Sequence, residues 1–288
     1  MNSNYLKWIY LVVLSLIWGS SFILIKKGLV GLSPLQLGSL RIVFAALFLL
    51  MIGYKSLPLI PRYKWKFVLL TGLLGTFVPA FLFAIAQTQI SSSVSSILNS
   101  LTPLNSLILG VLLFKLQYKR QQILGVIIGF IGTSLLVFNG AMHHPEQNYY
   151  YAILILVATM CYATNVNVIK IYLSDLSPLS ISTGNFLLLF FPALLILFFT
   201  GFFESIQITT VQESVSYILI LGLFGTGIAN ILFFKLIQIS TPVFATSVTY
   251  LIPIVAFFWG LLDNELLTIV QFIGALIILV GVYLSSKK

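Results

Sequence analysis

Apolar residues fill this chain in runs of about 20, and polar residues gather in the short stretches between them. Ten runs reach the length a helix needs to cross a hydrocarbon core of about 30 Å: 8–27, 33–53, 66–87, 91–112, 121–139, 150–171, 178–200, 216–236, 242–262 and 267–285. Pro34, Pro58, Pro61, Pro145, Pro178 and Pro242 fall at or near their ends. The pattern predicts an all-α integral membrane protein with ten transmembrane helices.

The pattern also repeats. GLLGT at 72–76 returns as GLFGT at 222–226, and LSPL at 32–35 returns at 176–179. Pro103 and Gly110 match Pro253 and Gly260 at a spacing of 150, while Gln122, Gly125 and Gly132 match Gln271, Gly274 and Gly281 at 149. The chain therefore divides into two five-helix repeats, 1–140 and 141–288. Five is odd, so the second copy enters the membrane from the opposite side. An inverted repeat of this kind is a transporter architecture, with the substrate site near the midplane between the halves. The first run is read as a helix and not a signal peptide: it follows Lys7 but has no A-x-A cleavage site, and its counterpart at 150–171 lies mid-chain.

Composition changes the picture only by fixing the solvent. The chain is 59% hydrophobic and 7% charged, with a mean hydropathy of +1.10, far from globular averages. One cysteine, Cys161, excludes an internal disulfide. The formal charge of +9 reads as a topology signal. With the N-terminus in the cytoplasm, only Lys26 and Lys27 of the assigned basic residues lie outside, and the reverse orientation inverts the positive-inside bias. Both termini are thus expected in the cytoplasm, with lipid headgroups as partners of the basic loops. A nucleic-acid partner has no soluble domain to support it, and a monomer is expected, with an oligomer left open.

LIWGSSFILIKKGL in the first run, LSPLQLGSLRIVFAALFLL through the second and LLDNELLTIVQFIGALIILVGVYL at the end resemble the EamA-type transporters of the drug/metabolite transporter superfamily. The resemblance covers the whole chain. It implies ten helices, a central cavity between the halves, and export or exchange of amino acids, other metabolites or drugs; the membrane is expected to be the bacterial cytoplasmic (inner) membrane. The last motif keeps Glu265, Thr268, Gln271, Gly274 and Gly281, whereas the first half has Lys115 at the acidic position.

The repeat also nominates cavity residues. Trp18 and Tyr162 match at a spacing of 144, and Asn99 matches Thr249, beside Tyr250, at 150. Asn99 belongs to a stripe of Ser92, Ser95, Ser96, Thr102 and Ser106 at three- and four-residue steps, which is one helix face. Asn165 and Asn230 bring further amides to midplane depth, where each must find a partner. Pro103 and Pro253 are expected to kink matching helices and to serve as gates. Arg41 is the one charge well inside a run, either facing an anion in the cavity or satisfying structure. If it faces the cavity, carboxylates are favoured over cations. Gly125 and Gly129 form a G-x-x-x-G expected to pack within the chain. His143 and His144 do not make a metal site on their own.

No cofactor or metal is expected. The runs hold no midplane carboxylate and no histidine, which disfavours an intramembrane enzyme, and no filter motif marks a channel. The expected activity is secondary transport of small metabolites by alternating access, as exporter or exchanger. The alternative is a proton-coupled multidrug or cation exporter, for which only peripheral Asp263 and Glu265 are at hand.

Overall fold

A chain that buries its backbone in lipid must satisfy every peptide group internally, so helices are the expected currency. The computed structural model describes residues 3–90, 92–141, 148–262 and 269–285. Among these residues no strand occurs. Helices are α1 (Ser3–Gly28), α2 (Pro34–Gly53), α3 (Trp65–Gly72), α4 (Val78–Ala86), α5 (Ser92–Asn99), α6 (Thr102–Leu112), α7 (Arg120–Ala141), α8 (Ala152–Tyr172), α9 (Pro178–Phe199), α10 (Phe202–Ser205), α11 (Thr209–Ile220), α12 (Ala229–Ile239), α13 (Pro242–Thr246), α14 (Val248–Leu262) and α15 (Ile269–Ser285). Six stretches of described residues are long and apolar enough to cross a membrane: Tyr5–Gly28, Pro34–Leu59, Arg62–Ala86, Ala152–Tyr172, Pro178–Phe199 and Thr209–Ile239. Shorter apolar helices cover Thr102–Leu112, Arg120–Gly132, Pro242–Val255 and Leu276–Ser285.

The repeated words in the sequence fold alike. Each LSPL places serine at a helix N-cap and proline in the first turn: the Ser33 hydroxyl accepts from the Gln36 amide, and Ser177 accepts from Ser180. GLLGT and GLFGT become π-helical segments, Leu73–Phe77 between α3 and α4 and Leu221–Ile228 between α11 and α12. The extra residue per turn in such segments widens the helix and frees backbone groups for other partners.

Several contacts join helices far apart in the sequence, and they follow the spacing of the sequence repeat. As α1 lies against α14 and α12, so α8 lies against α6 and α4. The α7–α15 contact is backbone on backbone. Gly125 faces the Gly281 carbonyl and Gly132 faces the Gly274 carbonyl, at 2.7 and 3.0 Å from an ideal Cβ. Rising numbers on one helix thus meet falling numbers on the other, and the two run antiparallel. Gly129 meets Gly281 in the same seam, so the G-x-x-x-G joins helices of one chain. The α2–α9 pair is also antiparallel: the Gln36 side chain donates to the Thr200 carbonyl at 2.9 Å, while Gly53 abuts Thr183.

One end of the bundle is tied by charge. Lys170 on α8 donates to the carbonyls of Ile237, Gln238 and Ser240 at 3.1, 3.1 and 2.6 Å, capping the C-terminus of α12. Nearby, Lys64 pairs with Asp175 across the loop before α9, and the hydrogen bond from Lys64 holds the Asp175 carboxyl below its ordinary value. Trp8 meets Phe244 edge-on at 5.1 Å at the same end.

Two expected continuous helices are broken. The run 91–112 stops at Asn99 and restarts at Thr102, and the run 242–262 breaks at Ser247. Pro103 therefore does not kink a helix; it sits in the first turn of α6, where its missing N–H costs nothing. Pro253 does lie inside α14. The carbonyl it leaves without a donor, four residues back at Thr249, accepts from the Ser100 hydroxyl at 3.2 Å.

Candidate functional site

The helix breaks and π segments converge on one cavity of about 100 Å³. Eight of the nine residues expected in a cavity line it: Trp18, Arg41, Asn99, Thr102, Tyr162, Asn165, Asn230 and Thr249. Tyr250 does not. It is fully buried, its hydroxyl donates to the Val126 carbonyl at 2.9 Å, and its ring fills the notch left by Gly129. A one-residue step along a helix turns a side chain by about 100°, and at Tyr250 that step points the ring toward Gly129 on α7 instead of the cavity.

The walls are aromatic and aliphatic. Trp18 stands edge-on to Phe233 at 4.9 Å, and Phe83 lies 6.3 Å from Phe22 and 6.1 Å from Tyr162, centre to centre. The Trp18 indole N–H donates to the Gly225 carbonyl at 3.0 Å. That carbonyl belongs to the second π segment, so the irregular backbone fixes the orientation of the ring.

Gly75, Thr76, Gly225 and Thr226 also line the cavity. They are the last two letters of GLLGT and GLFGT, whose recurrence signals the repeat but says nothing of where the letters point. Thr226 is the most informative. Its hydroxyl donates to the Leu221 carbonyl at 3.2 Å, five residues back, and accepts from Arg41 Nε at 2.6 Å. Arg41 is thus held by one edge of its guanidinium. Among the described residues no carboxylate pairs with it, the single ion pair being Lys64 with Asp175.

The remaining polar groups are mostly donors or already engaged. Thr102 donates to the Asn99 carbonyl at 2.6 Å and approaches its side-chain oxygen at 3.3 Å. Thr249 donates to the Thr246 carbonyl at 2.9 Å. The Asn230 amide reaches Thr76 at 3.5 Å, and the Asn165 side-chain oxygen is buried without a hydrogen-bond partner. Asn167, one helical step from the cavity face, instead ties α8 to the Ser106 carbonyl of α6 at 3.0 Å. Among the described residues no group of three His, Cys, Asp or Glu side chains could hold a metal. Asp263, Glu265, Thr268, His143, His144 and the side chains of Ser92 and Gln271 lie outside the described residues.

Comparison with known proteins places the chain in a family. The model of the EamA-like transporter family matches twice, over residues 6–138 and 150–287. An uncharacterized transporter of Archaeoglobus fulgidus is 27% identical over 287 residues, covering 98% of this chain and 99% of that protein. The uncharacterized inner membrane transporter YedA of Escherichia coli K12 is 27% identical over 285 residues, covering 96% and 89%. A Salmonella typhimurium protein named "Probable amino-acid metabolite efflux pump" is 27% identical over 126 residues, 42% of this chain and 40% of that one. One crystal structure superimposes with a TM-score of 0.73 at 14% identity, covering 99% of this chain and 96% of the other, and so shares the fold. Two family matches that together span nearly the whole sequence make the chain a membrane transporter of the EamA-like family.

Proposed function

We propose that the protein is a secondary carrier of small metabolites that exposes its central cavity alternately to the two sides of the membrane. The observation that carries this reading is the cavity itself, lined by repeat-related pairs from both halves, Trp18 with Tyr162 and Asn99 with Thr249. The halves are 1–140 and 141–288, inverted with respect to one another. Support comes from the separate family match to each half and from the antiparallel α2–α9 and α7–α15 pairs. The site comprises the eight expected residues that line the cavity, with the helix break before Pro103 and the Thr249 carbonyl opposite Pro253 as the places where a half rocks.

The membrane is the bacterial cytoplasmic membrane, with both termini inside. The inner-membrane relative and the basic residues at the Lys64–Lys170 end support that placement. Movement is outward or by exchange. The Salmonella relative's name points to amino acids and related compounds as the class to try first. With no carboxylate or histidine among the described residues that line the cavity, uncoupled exchange fits better than proton relay.

Counter-flow in reconstituted vesicles tests the proposal. Vesicles preloaded with amino acids, 2-oxo acids or cationic dyes should accumulate the labelled compound transiently and saturably, without altering it. Unsaturable conductance would reveal a channel, a chemically changed product would reveal an enzyme, and uphill accumulation driven by a pH gradient alone would overturn the uncoupled mode.

A further inference from the structure

We infer that the cavity selects ligands with a net negative charge, carboxylates without a compensating ammonium, and that Arg41 and Thr226 set this preference. The inference rests on the central cavity being the carrier's substrate site.

The first argument is charge. Arg41 lines the cavity and carries a permanent cation, while none of the twenty lining residues is an aspartate or glutamate. Its counterpart across the repeat, at a spacing of 144, is Asn185. Asn185 is buried against Thr71 of α3, away from the cavity. One half alone therefore supplies the charge, and none of the described lining residues of the other cancels it.

The second argument is geometry. Thr226 takes the Nε edge of the guanidinium, and among the described residues the two Nη groups have no protein acceptor. The remaining Nη pair is the edge that can grip a carboxylate through parallel hydrogen bonds. The Thr226 hydroxyl is in turn fixed to the Leu221 carbonyl, so the fork is held in place before a ligand arrives.

The third argument concerns what an ammonium would need. Helix breaks commonly offer free carbonyls to cations. Here those carbonyls are engaged: Asn99 accepts from Thr102, Thr249 from Ser100, Gly225 from Trp18 and Leu221 from Thr226. An amino acid can place its carboxylate on Arg41, but its ammonium finds no counter-charge among the described lining residues, and the unpartnered Asn165 side-chain oxygen offers it only a neutral acceptor. A 2-oxo acid brings no ammonium that would need a counter-charge.

One carbon skeleton in three charge states tests this: 4-methyl-2-oxopentanoate (anion), leucine (zwitterion) and leucinamide (cation). Their binding is read as thermal stabilisation of the purified protein, and their ability to compete is read in counter-flow. The oxo acid should bind at least tenfold tighter than leucine, with leucinamide weakest. Arg41→Gln should erase the order, and Arg41→Lys should keep the order while weakening the oxo acid, because a point charge lacks the fork. Thr226→Val should weaken the oxo acid several-fold without reversing the series. Equal or tighter binding of leucine or leucinamide by the unmodified protein overturns the inference, and needs no variant to fold. Saturable flux of leucinamide would sink the anion preference but leave the carrier intact. Binding in the predicted order without any flux would sink the carrier reading instead.

Discussion

Trp18 illustrates how much one side chain does here. It presents a flat wall to the cavity, and its N–H holds the Gly225 carbonyl of the second π segment. A buried carbonyl deprived of its donor costs about 1–3 kcal/mol, so the two roles separate by substitution. Trp18→Phe keeps the wall and should retain most transport with a modest loss of stability. Trp18→Ala should cut transport at least several-fold while protein remains abundant in the membrane, as should Asn99→Ala. Flux in vesicles, normalised to folded protein, checks both, and normal flux in both alanine variants would displace the site from this cavity. Trp18, Tyr162, Asn99 and Thr249 were legible because the repeat pairs them. Tyr250 lies off the cavity because its ring fills the Gly129 notch and its hydroxyl donates to the Val126 carbonyl, partners on α7 that its position beside Thr249 does not reveal. Thr226 escaped notice since a threonine among glycines in an apolar run carries no signal until the π segment turns it toward Arg41.

At the scale of elements, apolar runs reveal where helices lie but not where they break. Ser100 and Ser247 sit at breaks that hydropathy cannot see, because small hydroxyl residues are also ordinary members of packed membrane helices. Pro103 and Pro253 were legible as equivalent, yet one starts a helix and the other sits within one. The difference is carried by the Ser100 hydroxyl, shared between the Ser96 and Thr249 carbonyls at 3.0 and 3.2 Å. Ser100→Ala should therefore destabilise the protein by about 1–2 kcal/mol. In a Pro253→Ala background, where an N–H is restored to the Thr249 carbonyl, the same substitution should cost clearly less. Denaturant unfolding of the four proteins in detergent measures the coupling, and strict additivity would mean that Ser100 does not serve Pro253. The glycine seam of α7 and α15 was better marked, since Gly125, Gly132, Gly274 and Gly281 recur at one spacing and only their hydrogen-sized side chains allow backbones this close.

For the whole molecule, the account holds that two like halves rock about a shared cavity. The equivalence is incomplete in the structure, and that is informative. Lys170 ties α8 to three carbonyls at one end, while Lys26, its counterpart in α1, makes no hydrogen bond or ion pair among the described residues. We read this single arrangement, which treats equivalent residues differently, as a carrier resting in one of its two states. Alternate exposure of one position tests the claim most directly. With Cys161 replaced by serine, a cysteine is placed at Thr249, in the cavity wall. An impermeant thiol reagent is then applied to right-side-out and to inside-out membrane vesicles. The account predicts that the cysteine reacts from both sides, and that ligand changes the two rates in opposite directions. Reaction from one side only, whatever the ligand, would contradict it.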